Sequence, residues 1–306
     1  LESAIRRLRE AEVEAVAISF LHAYANAAHE EAAAAFVSAR MPGIYLSVSS
    51  RVLPQVRFYE RTSTTVLNAA VGPILRRYVE NLRKRLSAAG FAGVLRIMQS
   101  NGGVTSPEVV AALAASTLLS GPAAAPIAGL AAMQANGGDS FITMDMGGTS
   151  FDAAMVVGGA PAITTSGAVN RFALALPSMD INTIGAGGGS IAWIDDRLLR
   201  MGPQSAGADP GPACYGRGGK APTCSDANLV LGYLAPDFFA GGRLRLDVEA
   251  AKAAIEHGVG KPLNMDVVQA AFGMHQVMNV NMASAIREIS VQRGVDPREF
   301  PLICAG

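Results

Sequence analysis

Charge of either sign is scarce in this 306-residue sequence: Asp, Glu, Lys and Arg make up 16%, and the 25 acidic and 25 basic side chains cancel. An average soluble domain carries about 25%. Without an excess of either sign there is nothing to grip a polyanion or an anionic bilayer surface, so neither nucleic acid nor a membrane is expected as a partner. Cysteine is nearly absent too. Cys214, Cys224 and Cys304 are odd in number and include no C-x-x-C pair, which argues against a disulfide framework and a structural zinc site and fits a reducing cytoplasm. The four histidines, His22, His29, His257 and His275, have no metal-type spacing. No G-x-S-x-G elbow and no G-x-x-x-x-G-K-[ST] loop occurs, so any nucleotide chemistry must use another kind of phosphate cradle.

Nothing at the start of the sequence reads as a secretory or organelle-targeting segment. The chain opens Leu1-Glu2-Ser3-Ala4-Ile5-Arg6-Arg7, an amphipathic helix start without Met, which is expected of a fragment. One stretch is long enough to cross a bilayer, because no charged residue lies between Glu108 and Asp139. Ser116, Thr117, Ser120, Gly121, Pro122 and Pro126 interrupt it, and no aromatic belt marks its ends. Two buried helices around a Ser120-Gly121-Pro122 break are expected instead.

What the chain does contain is apolar surface, at 50% hydrophobic residues, and length for about two domains. The runs Val13–Leu21 and Ile44–Val48 read as buried strands, with a helix over Ala27–Arg40 between them, which is an α/β unit with parallel strands. A long helix over Arg61–Leu86 should be kinked or divided at Gly72-Pro73 and end at Gly90, before a strand at Val94–Met98. Beyond Phe141 glycine becomes dense. Phe141–Asp145 and Phe151–Val157 predict a hairpin, and Ile191–Met201 a second one turning at Asp195-Asp196. A Gly/Pro-rich loop fills 202–226, and helices follow at Asp226–Leu231, Val248–His257 and Asp266–Gly294.

The strongest chemical signal is Asp145-Met146-Gly147-Gly148-Thr149-Ser150-Phe151-Asp152. A carboxylate at a strand end, two glycines able to turn at positive φ and hydroxyl residues entering the next strand can form a cup of N–H donors for phosphate. Asp145 can hold Mg²⁺ beside it. An ordinary Gly-Gly turn is the bland alternative. Gly185-Ala186-Gly187-Gly188-Gly189-Ser190 fails as a dinucleotide fingerprint, since Ser190 stands where the third glycine belongs and a hairpin follows. Those glycines either permit close backbone packing or approach a ligand. The 204–219 loop, with Asp209, Tyr215 and Arg217, either positions a ligand or is solvated surface. Ser225-Asp226-Ala227-Asn228 reads first as a helix start capped by Asp226.

Six ordered segments together closely resemble the hydantoinase A/5-oxoprolinase family: Glu60–Ala69, Met98–Gly103, Ser120–Ala123, Asp145–Asp152, Asn182–Ala192 and Gly202–Tyr215. The resemblance covers essentially the whole chain. It implies an α/β, RNase H-like two-lobed fold of the actin and sugar-kinase ATPases, with residues 1–57 the last part of the first lobe and 58–306 the hydantoinase A/oxoprolinase domain. It implies ATP·Mg²⁺ as cofactor, with Asp145 and Asp152 catalytic, Asp145 the metal ligand, and Gly147, Gly148, Thr149, Ser150, Gly187 and Gly188 around the nucleotide. Asp180, Asn182, Asp209 and Arg217 are the expected substrate contacts. The implied activity is ATP-dependent opening of a cyclic amide such as 5-oxoproline or a hydantoin, commonly beside a hydantoinase B-type subunit. An ATP-dependent ketone carboxylase subunit and a non-catalytic assembly module are the alternatives. The family's first hairpin, of D-x-G-G-T-x-T-D type, has no match, and 300–306 resembles the strand leading into its adenosine loop. A fragment that self-associates and has little activity alone is therefore expected. Many relatives carry His where this chain has Asn182.

Overall fold

The computed structural model describes residues 1–169 and 171–306. They form two compact units, one of residues 1–127 and 162–180, the other of residues 128–161 and 181–306.

In the first unit α1 (Glu2–Glu10), β1 (Ala15–Ile18), α2 (Ala28–Arg40) and β2 (Tyr45–Val48) build the expected α/β unit, and the two strands pair in parallel. Ile5, Val16, Ile18, Ala33, Val37 and Val48 pack into one apolar cluster, which is the face that the alternation of these segments prescribes. A short α3 (Ser49–Val52) leads to α4 (Phe58–Ala88), a single helix of 31 residues. Gly72-Pro73 does not divide it. A Cβ on Gly72 would fall 2.1 Å from the Tyr45 ring, so glycine is there to let the ring reach the helix backbone. The hydrogen bond that Pro73 forgoes is outweighed by the buried face of α4.

That face is largely polar. Asn68 has no exposed surface, donates to Ser47 Oγ at 2.7 Å and to the Ala112 carbonyl at 3.2 Å, and accepts from the Ala115 N–H at 2.9 Å. Thr64 Oγ1 accepts from the Ala175 N–H at 3.0 Å. Buried polar groups satisfied in this way hold segments in register that apolar contact alone would let slide. The expected strand at 94–98 is reduced to β3 (Ile97–Met98), paired with β4 (Val104–Thr105). The uncharged stretch runs from within α5 (Pro107–Ala112) through a 3-10 turn at Ala114–Thr117 and α6 (Ala124–Ala135). Among the described residues no helix is long and apolar enough to cross a membrane.

The second unit is built on the hairpin of β5 (Phe141–Met146) and β6 (Phe151–Val157), extended by β7 (Ala160–Pro161). The chain returns to the first unit for β8 (Ile163–Thr164), β9 (Gly167–Val169), β10 (Phe172–Leu174) and β11 (Ser178–Met179). It then adds β12 (Ile181–Ile184) antiparallel to β6. A second hairpin, β13 (Ser190–Asp195) and β14 (Leu198–Ser205), turns at Asp196-Arg197 and not at Asp195-Asp196. Both turn residues have positive φ, 45° and 68°, the conformation that matches the twist of a two-residue hairpin and that Asp tolerates. The helices α7 (Cys224–Val230), α8 (Val248–Ile255), α9 (Lys261–Leu263) and α10 (Val267–Ile289) follow, and β15 (Leu302–Ala305) pairs in parallel with β5. The main sheet has the order β12-β6-β5-β15. Ile142, Phe151, Ala153, Met274, Met278, Ala285 and Ile289 form the core between sheet and α10.

Candidate functional site: the glycine hairpin and its support

The turn between β5 and β6 closes with the Gly147 N–H donating to the Ser150 carbonyl at 3.0 Å. Neither Gly147 nor Gly148 lies at positive φ, contrary to the sequence expectation, so conformation does not demand glycine here. Space does not demand it either. A Cβ on Gly148 would have no heavy atom within 4 Å, and one on Gly147 would meet only the Ser150 carbonyl at 3.9 Å. Gly147, Gly148 and Thr149 are exposed, and the N–H groups of Gly148, Thr149 and Ser150 donate to no acceptor among the described residues. The turn thus presents three consecutive unclaimed N–H donors beside open space, a combination suited to an anion.

The second glycine segment is the support of the first. Gly188 N–H donates to the Gly147 carbonyl at 3.0 Å and Gly189 N–H to the Gly148 carbonyl at 2.7 Å. A Cβ on Gly187 would sit 2.4 Å from the Thr149 nitrogen, and one on Gly188 would lie 2.9 Å from Ser225 Oγ. Of the two readings of this run, the geometry therefore accounts for its glycines by backbone packing. Ser190 Oγ ties the loop to itself, accepting from the Gly187 N–H at 2.8 Å and donating to the Gly185 carbonyl at 3.1 Å.

Register places two carboxylates directly opposite each other, Asp145 on β5 and Asp152 on β6, with Thr183 of β12 next in the same row. Directly opposed residues of antiparallel strands share a face, and like charges there repel. Asp152 is held from both sides: Thr183 Oγ1 donates to its Oδ1, and Ser150 Oγ to its Oδ2 at 3.2 Å. Asp145, half-buried, has no hydrogen-bond or ion-pair partner among the described residues. An unpartnered carboxylate facing a second one beside a set of N–H donors fits a cation bound next to an anion. No group of three or more His, Cys, Asp or Glu side chains placed to hold a metal ion is present among the described residues, so such a cation would draw its remaining ligands from water or from the anion. Thr183 went unrecognised in the sequence because its place beside Asp152 depends on strand register, which spacing does not fix.

The 206–223 loop is anchored from inside by Asp226, which has no exposed surface. Its carboxylate accepts from the Cys214 N–H at 2.7 Å, the Thr223 N–H at 2.9 Å, Thr223 Oγ1 at 2.7 Å and the Ala213 N–H at 3.3 Å. The cap of α7 is Thr223, and Asp226 reciprocates as the third helical residue in a capping box. The sequence reading put the cap at Asp226. Burial, reinforced by the neighbouring Asp226 charge, pushes the Cys214 thiol far up, and burial takes Cys224 up to about 11.

Of the expected substrate contacts, Asp209 and Arg217 are exposed on this loop. Asn182 is half-buried and directs its Nδ2 to the Ala285 carbonyl at 3.1 Å and to Glu288 Oε2 at 2.6 Å on α10. Asp180 closes the first unit's last segment, its N–H donating to the Ala162 carbonyl at 2.8 Å.

Residues 61–306 match the family model described as Hydantoinase/oxoprolinase. Over its whole length the chain is 45% identical to the caprolactamase subunit alpha of Pseudomonas jessenii, of which it covers 44%. It is 32% identical, again over 100% of its residues, to the 5-oxoprolinase of Saccharomyces cerevisiae, covering 24% of that protein. The solved nucleotide-free structure of acetone carboxylase superposes on 98% of this chain and 43% of its own with a TM-score of 0.85 at 30% identity. The chain spans less than half the length of these relatives. With the glycine hairpin, its glycine support and the capped loop all inside the matched region, the chain belongs to the hydantoinase/oxoprolinase family.

Proposed function

We propose that this chain is the ATP-binding part of an enzyme that opens a cyclic amide of the 5-oxoproline or hydantoin type. The observation that carries the nucleotide reading is the open space over Gly148, where neither sterics nor φ requires glycine, in a turn with three unclaimed N–H donors that follows directly on the strand end carrying Asp145. In this reading the backbone N–H groups of Gly148, Thr149 and Ser150 receive phosphate oxygens, Gly147 lines the nucleotide while closing the turn through its own N–H, and Asp145 would hold Mg²⁺ beside them. Asp152 stays fixed at the next position of the row. Gly187 and Gly188 act through the hairpin that they support. Bound ATP supplies a transferable phosphoryl group, which turns an amide oxygen into a group that a nucleophile can displace. The surrounding fold is taken as the two-lobed RNase H-like ATPase type, with residues 1–57 in the first lobe. The start of the family match at residue 61 supports that boundary.

Asp209 and Arg217 are assigned to the substrate side, with Asp180 and Asn182, because the loop that carries the first two is exposed yet internally anchored by Asp226. A hydantoinase B-type partner and a homo-oligomer belong to the same reading; relatives named as alpha, gamma and beta subunits support the presence of a partner subunit. The cyclic-amide class rests on the 45% identity to a caprolactamase subunit. The likeness to acetone carboxylase favours a second reading, a ketone carboxylase subunit. Phosphate release by the full-length protein with its partner subunit separates the two. Stimulation by caprolactam, 5-oxoproline or hydantoin is expected, and stimulation only by acetone or acetophenone with bicarbonate overturns the first reading in favour of the second.

A further inference from the structure

The row Thr183, Asp152, Asp145 runs across three adjacent strands of the main sheet, and its hydrogen bonds are asymmetric. Both oxygens of Asp152 accept a hydroxyl, from Thr183 and from Ser150, while Asp145 accepts none. The two donors differ in origin. Ser150 belongs to the hairpin turn itself, whereas Thr183 belongs to β12, in which the preceding Asn182 is tied to α10 through the Ala285 carbonyl and Glu288. Thr183 thus ties the Asp152 carboxylate to a strand outside the turn.

We propose that Thr183 is a positioning residue for the carboxylate pair: its hydroxyl fixes Asp152 toward β12 and leaves Asp145 as the member of the pair free to bind a cation. This rests on the reading of the hairpin as a phosphate and metal site. Two opposed carboxylates without such a device would turn away from each other to relieve repulsion, and the orientation of both would be set anew at each binding event. A donor from a third strand removes that freedom for one of them. Catalytic geometry is sensitive to small displacements, so the effect belongs to turnover more than to nucleotide affinity, which the backbone donors of the turn supply.

The test compares Thr183→Val, Thr183→Ser, Asp152→Asn and Asp145→Asn in the full-length protein with its partner subunit, measuring kcat and KM for ATP hydrolysis and the thermal midpoint. Thr183→Val is expected to lose about 10-fold in kcat, on the order of one hydrogen bond to a charged group, with KM for ATP within about 2-fold. Thr183→Ser is expected to retain both values within about 2-fold. Because Thr183 is exposed, the midpoints should agree, and Thr183→Ala takes the place of the valine variant if that one does not fold. A normal kcat in the valine or alanine variant, or an equal loss in the serine variant, overturns the positioning role. Normal turnover in Asp152→Asn overturns the catalytic part of Asp152 and the proposal with it, whereas normal turnover in Asp145→Asn overturns the underlying phosphate-site reading. Loss in Asp152→Asn alone overturns only the role of Thr183.

Discussion

A Cβ on Gly187 would stand 2.4 Å from the backbone nitrogen of Thr149. The two glycine-rich segments are therefore one object, the 185–189 loop forming the base on which the 147–150 turn rests. Glycine serves opposite purposes in the two. At Gly187 the protein's own backbone occupies the side-chain space, and at Gly148 nothing of the protein does.

That contrast separates two single substitutions. Gly187→Ala must push the hairpin turn away from its support and should cost about 1–3 kcal/mol, read as a drop of several degrees in the thermal midpoint. Gly148→Ala should leave the midpoint unchanged and weaken ATP·Mg²⁺ binding in the full-length protein at least 10-fold by calorimetry. Equal destabilisation by both would mean that Gly148 is structural.

Asp145→Asn should abolish substrate-dependent ATP hydrolysis while leaving the fold intact. It also removes one of two opposed like charges, so the thermal midpoint without nucleotide should stay level or rise slightly, by the few tenths of a kcal/mol such a pair is worth. A variant that turns over ATP normally contradicts the metal-phosphate role, and one that melts early contradicts the absence of structural partners for Asp145.

Away from the site, Glu30 and Arg61 are both without exposed surface and meet through one hydroxyl, Ser49 Oγ, which donates to Glu30 at 2.6 Å and accepts from Arg61 Nε at 3.1 Å. Burial, the largest single influence on Glu30, raises its pKa, but the Ser49 hydroxyl and the Phe20 and Ser50 N–H groups together hold it below the ordinary 4.5. A carboxylate with a depressed folded-state pKa stabilises fully above its unfolded value and loses that contribution as pH falls through the folded one. The midpoint difference between the parent and Glu30→Gln should thus be largest above about pH 5 and shrink below about pH 4. A difference that stays constant between pH 7 and pH 3 contradicts this. Ser49→Ala should cost about 2–4 kcal/mol, because it strands a donor of buried Arg61.

Thiol labelling gives a simple check on packing. Cys304 is exposed, whereas Cys214 and Cys224 are buried and their thiols are held protonated at neutral pH. Iodoacetamide at pH 8 should modify Cys304 alone, with the other two reacting only in denaturant. Labelling of Cys224 in the folded protein would show that the α7 start opens.

Local signals carried much of the reading. The Asp145–Asp152 hairpin and the parallel β1 and β2 follow from alternation and turn residues, and α10 begins where the sequence placed a helix start, at Asp266, which the structure shows in a capping box with Gln269. The departures have a common cause. Gly72-Pro73 was expected to kink or divide α4 because a proline inside a helix loses a hydrogen bond; Tyr45, remote in sequence, packs there and the helix is not divided. The cap of α7 shifts from Asp226 to Thr223 because Asp226 is drawn inward by the N–H groups of Ala213 and Cys214.

What the sequence by itself determined is the chemistry available: a hairpin of glycines and hydroxyls between two carboxylates, an α/β order of elements and membership of one family. Tertiary structure alone decided which glycine meets backbone and which meets open space, that Thr183 stands beside Asp152 while Asp145 is left unpartnered, and that a serine joins Glu30 to Arg61. Backbone propensities act over a few residues and are written locally. Register and packing arise between segments far apart in sequence, and a single-residue slip of β12 would turn Thr183 to the other face of the sheet.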